Sequence, residues 1–258
     1  MDNICAMAEL HKIVESANEW LNIAEVPDYS GAINGLQLEN DGSVTKIVAA
    51  VDACLPVIRM AVDQGADLLV VHHGMFWNGA RPFTGSVYEK LKLAMDHNLA
   101  IYSSHIPLDV HPELGNNACL AKALGFTSTE TFFPWKGIQL GIRQKISIPR
   151  GELLEMVAAA TGAPAHICPG GPEEVRDIGI ITGGAGSEVF AIAETGIDTF
   201  ITGEGPHWSY TAAEELGLNI IYAGHYATET FGVKALARRW CDEFAGLEWE
   251  FVDHPTGL

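Results

Sequence analysis

Histidine and carboxylate residues occur at three places where the sequence predicts the end of a strand. They are His72 and His73, then His105 and Asp109, and finally His225 and Glu229. Ligand sites of open parallel sheets lie beyond the carboxyl ends of the strands. Imidazole and carboxylate groups suit Zn, Fe and Mn, and no cysteine is present at these positions to indicate a structural thiolate zinc. The pattern therefore predicts a site for divalent metal ions.

Each of the three pairs has an ordinary structural interpretation when it is taken alone. His72 and His73 would point to opposite faces of a strand and hold different ions, but one core and one surface histidine would give the same pattern. Pro107 disfavours a regular helix between His105 and Asp109, which places both on a turn. Asp109 on such a turn is equally explained as a capping residue. Only the combination of the pairs favours a metal site.

His225 and Glu229 are four residues apart at the start of a predicted long helix, which puts them on one helical face. The two carboxylate oxygens of Glu229 can bridge two cations, as a two-metal site requires. An acid there would also stabilise the positive end of the helix dipole without binding metal. The glycine-rich stretch 182–187 could cradle a phosphate, but it lacks a P-loop lysine and a tight turn is favoured. Glu204 and His207 are further candidates for lining the same cleft.

The composition excludes several classes of protein. The chain has 258 residues and a formal charge of −18, which argues against sequence-independent binding to nucleic acids and to anionic membranes. Its five cysteines are scattered, which is typical of a reducing compartment. No run approaches the length of a membrane span, and the N-terminus lacks the pattern of a signal peptide. We expect a soluble cytoplasmic protein.

Strand and helix patterns alternate along the chain, which predicts βαβ units with parallel sheets. The predicted strands are 47–51, 68–71, 99–102, 138–148, 178–182, 199–201, 220–222 and 247–252. The predicted helices are 10–21, 55–64, 86–97, 114–124, 152–160, 188–194, 207–216 and 228–244. An internal repeat aligns 63–70 with 194–201 and 101–105 with 221–225, which favours duplication over chance similarity. The boundary is placed at 134–137, giving halves 1–133 and 134–258.

Three blocks of the sequence resemble the signatures of the NIF-three-like family, whose bacterial members are named GTP cyclohydrolase 1 type 2 or dinuclear-metal hexameric proteins. The blocks are Val71-His72-His73-Gly74-Met75-Phe76-Trp77, Ser104-His105-Ile106-Pro107-Leu108-Asp109 and Gly224-His225-Tyr226-Ala227-Thr228-Glu229. They occur in the family's order and span nearly the whole chain.

The resemblance implies two similar three-layer α/β/α domains, with a metal site in the cleft between them, and these can also be counted as one intertwined domain. It implies a toroidal homo-hexamer with two divalent ions per chain. The family's ligands map onto the positions His72, His73, Asp109, His225 and Glu229. Glu229 would bridge the ions, and His105 would lie close by as an outer or proton-transfer group.

The implied activity is hydrolysis of a nucleotide or related small molecule, with a metal-bound hydroxide attacking C8 of the guanine ring of GTP and His105 passing the proton. The alternative is a non-catalytic hexameric protein that buffers metal or binds a partner. The residues themselves identify neither the native metal nor the substrate.

Overall fold

The structure is a computed structural model that describes residues 8–77, 79 and 81–258. Its strands, in chain order, are β1 (Ala8–Glu9), β2 (Gly35–Leu38), β3 (Ser43–Val44), β4 (Lys46–Asp52), β5 (Leu68–His73), β6 (Ala100–Ser103), β7 (Glu130–Trp135), β8 (Ile138–Pro149), β9 (His166–Pro169), β10 (Glu174–Ile180), β11 (Thr199–Thr202), β12 (Asn219–Tyr222) and β13 (Glu248–Phe251). Its α-helices are α1 (Leu10–Trp20), α2 (Leu55–Asp63), α3 (Ser86–Asp96), α4 (Ile106–Val110), α5 (Asn116–Ala123), α6 (Arg150–Thr161), α7 (Val189–Glu194), α8 (His207–Leu216), α9 (His225–Thr228) and α10 (Thr230–Glu243).

Each predicted strand and helix overlaps an observed element of the same type, so the mixed α/β class is confirmed. The predicted helix 228–244 is observed as two helices, because the backbone of Glu229 leaves the helical region between α9 and α10. Strands β1, β2, β3, β7 and β9 and helix α4 were not predicted. In the described part of the chain, no helix combines the length and apolarity that crossing a bilayer requires.

The chain folds into two compact units, and neither is continuous in sequence. The first unit contains the described residues up to Leu108 together with Gly232–His254. The second unit contains Asp109–Phe231 and Pro255–Leu258. Helix α5 therefore belongs to the second unit, whereas α10 and β13 belong to the first.

The first unit is built on a five-stranded sheet with the order β13-β4-β5-β6-β2. Strands β13, β4, β5 and β6 are parallel, and β2 pairs with β6 in the antiparallel direction. Strand β4 reads Lys-Ile-Val-Ala-Ala-Val-Asp and is buried over its middle five residues, as a parallel strand covered on both faces should be. The register pairs Asp52 with His73 and Val71 with Ser103, which brings the ends of three strands to one edge.

The second unit has a six-stranded sheet with the order β7-β8-β10-β11-β12-β9. Strands β10, β11 and β12 are parallel, and the remaining pairs are antiparallel. Its buried core joins these strands to helices α5 and α6. Core residues from the strands and the two helices include Leu120, Leu124, Leu153, Val157, Ile178, Ile180, Ile201 and Ile221.

The two sheets share a topology. The order β4-β5-β6-β2 in the first unit matches β10-β11-β12-β9 in the second, with an antiparallel edge strand that precedes the parallel strands in sequence in both cases. Helices α2 and α3 connect the parallel strands in the first unit, as α7 and α8 do in the second. This shared order is what an internal duplication predicts.

The compact units differ from the predicted halves 1–133 and 134–258. The predicted division falls inside β7, which forms a hairpin with β8 through Lys136 and Gly137, both at positive φ. In addition, each half contributes its last helix to the other unit. Apolar residues of α5 lie in the second core, whereas Trp240 of α10 is buried in the first unit, where its Nε1 donates to the carbonyl of Ile13 at 3.0 Å.

Candidate metal centre

Three histidines gather at the carboxyl edge of the first unit's sheet. His72 and His73 end strand β5, and His105 follows β6 by two residues. Their ligand nitrogens all lie within 4.8 Å of one another, which is close enough for the group to hold a metal ion. The ring centroid of His105 is 4.9 Å from that of His72 and 5.7 Å from that of His73. His72 is fully buried, and His73 is half-buried.

Two local expectations about these residues were wrong. His72 and His73 do not point apart, because His73 is the last residue of its strand and its ring centroid lies 4.8 Å from that of His72. Nor does Pro107 prevent a helix between His105 and Asp109. It lies in the first turn of the short helix α4, where a missing backbone N–H leaves no hydrogen bond unmade.

Each of the three rings is tied to an oxygen through Nδ1. The partners are the Ser104 carbonyl for His72 at 3.0 Å, Asp52 Oδ1 for His73 at 2.9 Å and Asp28 Oδ1 for His105 at 2.8 Å. A carbonyl or carboxylate oxygen can only accept, so the proton sits on Nδ1. The lone pair of the neutral ring is then on Nε2. Metal-binding histidines are commonly oriented in this way, and the donor set therefore fits a divalent ion.

In the second unit, His225 lies between two carboxylates. Its Nδ1 is 2.8 Å from Glu204 Oε1, and its Nε2 is 3.2 Å from Oε2 of the buried Glu229. Burial lowers the pKa of His225, but the hydrogen bonds and charges of Glu229 and Glu204 outweigh it and raise the pKa to about 9. Through its contact with Glu204, the Nδ1 of His225 is held by an oxygen, as in the three histidines of the first unit.

Asp109, the remaining predicted ligand, is buried in the second unit. Its Oδ1 accepts hydrogen bonds from Asn116 Nδ2 at 2.8 Å and from Thr182 Oγ1 at 3.4 Å. A cavity of about 150 Å³ is lined by Asp109, Asn117 and Glu130 among others. The acid is thus fixed by neighbouring side chains and lines a small cavity with both polar and apolar walls.

In the glycine-rich stretch 182–187, the backbone amides of Gly183 and Gly186 are hydrogen-bonded within the fold. The Gly183 amide donates to Thr228 Oγ1 at 3.0 Å, and the Gly186 amide donates to the carbonyl of Glu204 at 3.0 Å. These contacts support the tight-turn interpretation over a phosphate cradle. His207, which was considered beside Glu204, is exposed at the first residue of α8.

Two residues at the candidate metal centre were missed by sequence reasoning. Asp52 ends strand β4 and pairs in register with His73, so its position after a buried apolar run was a usable signal. Asp28 lies in a turn-rich stretch far from His105 in sequence, and no spacing pattern connects the two. Glu204 was singled out only as a lining residue, whereas the structure makes it the hydrogen-bond partner of His225.

Comparison with known proteins places the chain among relatives of nearly equal length. The sequence model of Duf34/NIF3 (NGG1p interacting factor 3) matches residues 8–256. The GTP cyclohydrolase 1 type 2 homolog of Deinococcus radiodurans is 39% identical over 249 residues, covering 96% of this chain and 94% of that protein. That of Escherichia coli K12 is also 39% identical, covering 96% and 98%. The crystal structure of TTHA1606 from Thermus thermophilus superposes with a TM-score of 0.87 at 36% identity, covering 97% and 100%.

Proposed function

The chain belongs to the Duf34/NIF3 family, which confirms the resemblance drawn from the three sequence blocks, and on this basis we propose that it is a metal-dependent hydrolase of a nucleotide or related small molecule. The proposed cofactor is two divalent ions per chain, of Zn, Fe or Mn. The proposed ligands are His72, His73, Asp109, His225 and Glu229.

The observation that supports this proposal most directly is the shared orientation of four histidines. In each one Nδ1 is held by an oxygen, and in three of the four that oxygen belongs to a carboxylate. A carboxylate behind an imidazole raises its basicity and fixes the ring, and such partners strengthen metal binding. Four buried or half-buried histidines with this arrangement are hard to explain as packing alone.

Divalent ions, when bound, supply Lewis acidity and lower the pKa of water. The chain's own residues would offset the charge of the ions and transfer the proton. Buried Glu229, with its single negative charge, would offset part of the positive charge of the ions. His105 would accept or return a proton at Nε2, since its Nδ1 is committed to Asp28. The names of the relatives suggest a guanine nucleotide as the first substrate to examine.

The first experiment measures metal per chain by elemental analysis of protein purified without chelating resin. We expect about two ions in the wild type and a sharp fall in His73→Ala and Glu229→Ala. His97→Ala, which removes an exposed histidine of the first unit, is the matched control and should keep the wild-type content. A wild type that takes up no metal after reconstitution would overturn the proposal.

The second experiment assays the metal-loaded protein against GTP, other nucleotides and phosphoesters. Turnover that disappears with the metal in Glu229→Ala supports a hydrolase. A metal-replete protein that is inactive on all of these would favour the alternative, a non-catalytic protein that buffers metal or binds a partner. The observation that favours this alternative is that the Gly183 and Gly186 amides are hydrogen-bonded within the fold, which removes them from any phosphate cradle.

The proposal also includes assembly into a homo-hexamer and a cytoplasmic location. Both are implied by the family resemblance, and light scattering of the purified protein tests the first. A mass of six chains is the expected result. A monomer at micromolar concentration would remove the hexamer from the proposal without affecting the metal site.

A further inference from the structure

A loop of residues 28–34, here called the 28–34 loop, encloses His105 from one side. Strand β2 runs antiparallel to β6, so the residues just before β2 lie at the edge where β6 ends. Asn34 Oδ1 accepts the backbone N–H of His105 at 2.7 Å, while Asp28 Oδ1 holds the ring at Nδ1. One loop thus fixes both the backbone and the side chain of His105.

Asp28 is itself rigidly held. Its Oδ1 also accepts the backbone N–H of Tyr29 at 2.6 Å, and its Oδ2 accepts Asn34 Nδ2 at 2.8 Å and the N–H of Ile106 at 3.0 Å. Burial raises the pKa of Asp28, but the hydrogen bonds from His105, Asn34 and Tyr29 outweigh it and lower the pKa. The side chain is only 8% exposed. A surface capping residue would not need so many partners.

The 28–34 loop and the residues after it are fastened to the His72–Trp77 segment. A Cβ at Gly31 would lie 2.6 Å from the carbonyl oxygen of Trp77, so only glycine fits there without a shift. Gln37 Oε1 accepts the Met75 N–H at 2.7 Å. The Trp77 ring meets the His105 ring edge-on, with centroids 4.6 Å apart. His105 therefore sits in a fixed pocket rather than at a mobile loop tip.

We propose that Asp28 is the positioning residue of His105, keeping the Nδ1 proton in place so that Nε2 faces the reaction as a proton acceptor. The role of His105 rests on the proposed hydrolase function, whereas the tautomer and orientation stand on the geometry of the first unit alone. A buried carboxylate that orients a histidine through Nδ1 is a recurring device of general-base catalysis.

Another histidine of this chain, His111, is held in the opposite tautomer. His111 accepts two backbone N–H groups at Nδ1, from Glu113 at 3.1 Å and from Leu114 at 2.9 Å. The neutral His111 ring must therefore carry its proton on Nε2, the reverse of His105. The two histidines give internal references for a single spectroscopic measurement.

The test is long-range ¹H–¹⁵N NMR on the full chain labelled at histidine nitrogens, without and with added Zn²⁺. The His105 signals are assigned by their loss in His105→Gln. We expect the Nδ1–H form for His105 and the Nε2–H form for His111. In Asp28→Asn the new amide can donate to Nδ1, so His105 should change toward the Nε2–H form. The matched control, Asp52→Asn, should change His73 and leave His105 as in the wild type.

Other outcomes overturn the proposal. An Nε2–H form of His105 in the wild type would do so on its own, even if Asp28→Asn does not fold. An unchanged tautomer in folded Asp28→Asn would do the same. A zinc content that falls in Asp28→Asn would make His105 a metal ligand instead of a base.

If the wild type turns over a substrate, Asp28→Asn should lose about 10²–10⁴-fold in kcat. If the tautomer results hold and no substrate is found, the hydrolase function fails while the positioning role of Asp28 stands.

Discussion

Gly183 and Glu229 are in such close contact that a Cβ atom on Gly183 would overlap Oε1 of Glu229. Gly183 also has φ +70°, in the left-handed region that favours glycine. Its amide donates to Thr228, the residue that precedes Glu229. The turn after β10 therefore sets the position of the buried carboxylate, although Gly183 itself offers no ligand atom.

Gly183→Ala should lower metal binding as well as stability. The left-handed backbone costs an alanine about 1–3 kcal/mol, and the added methyl group displaces the Glu229 carboxylate. We expect a lower thermal midpoint together with reduced metal per chain, measured by thermal unfolding and elemental analysis.

Gly151→Ala is the control for that variant. Gly151 lies in helix α6 with no heavy atom within 4 Å of a built Cβ, so this change should stabilise the protein slightly and leave its metal content alone. Equal metal content in Gly183→Ala and the wild type would show that the carboxylate can move without loss of the ion.

Glu204→Gln should weaken metal binding without removing a proposed ligand. The substitution replaces the carboxylate that holds His225 Nδ1 with an amide. Loss of such a partner typically costs 10–100-fold in metal affinity, so we expect a rise of about that size in the Kd for Zn²⁺ in a competition titration. Glu215→Gln, at an exposed position of α8, should leave the Kd unchanged. A rise of the same size in both variants would point to net charge as the cause.

The parallel strands could be predicted because each buried strand is a continuous run of apolar residues in the sequence. Runs such as Leu68–Val71 are apolar at every position, as expected for a strand covered on both faces. The short edge strands β2 and β9 lack such a pattern, because one side of each has no neighbouring strand. The predicted boundary at 134–137 overlaps the end of β7 and the turn that follows it. The structure uses Gly137 for a hairpin and leaves Pro134 in the strand.

The candidate ligands could be predicted for a related reason. The end of an apolar run marks the end of a strand, and the histidines and carboxylates lie at or just after that point. The groups that orient them were harder to find. Asp28 reaches His105 only because β2 returns antiparallel beside β6, a pairing that no local pattern indicates. The exchange of α5 and α10 was also not predictable, since an amphipathic helix fits either of two similar sheets.

Trp240→Phe tests the assignment of α10 to the first unit. The indole Nε1 donates to the carbonyl of Ile13 while the ring meets Tyr102 edge-on, with centroids 5.6 Å apart. Losing this buried hydrogen bond should cost about 1–3 kcal/mol in the free energy of unfolding, measured by urea denaturation. Trp208→Phe, at an exposed position of α8, should change it by no more than about 0.5 kcal/mol. A similar loss for both would contradict the burial of α10 against α1.

Gly137→Ala should destabilise the β7–β8 hairpin, whose turn lies where the sequence predicted a domain boundary. Lys136 and Gly137 both have positive φ, as a two-residue hairpin turn requires. Alanine in the left-handed region costs about 1–2 kcal/mol, so we expect a loss of that size by urea denaturation. A flexible interdomain linker would tolerate the same substitution with no measurable change.

The discontinuity of the first unit has a consequence for how the protein is made. Translation delivers the strands β4, β5 and β6 first, and α10 and β13 follow only after residues 109–231 of the second unit. Until then, the surface that Trp240 covers beside Ile13 and Tyr102 has nothing to bury it. A nascent or prematurely terminated chain lacking residues 232–254 would thus present exposed apolar side chains to chaperones and proteases. The first unit is therefore completed only after residues 109–231 of the second unit have been synthesised.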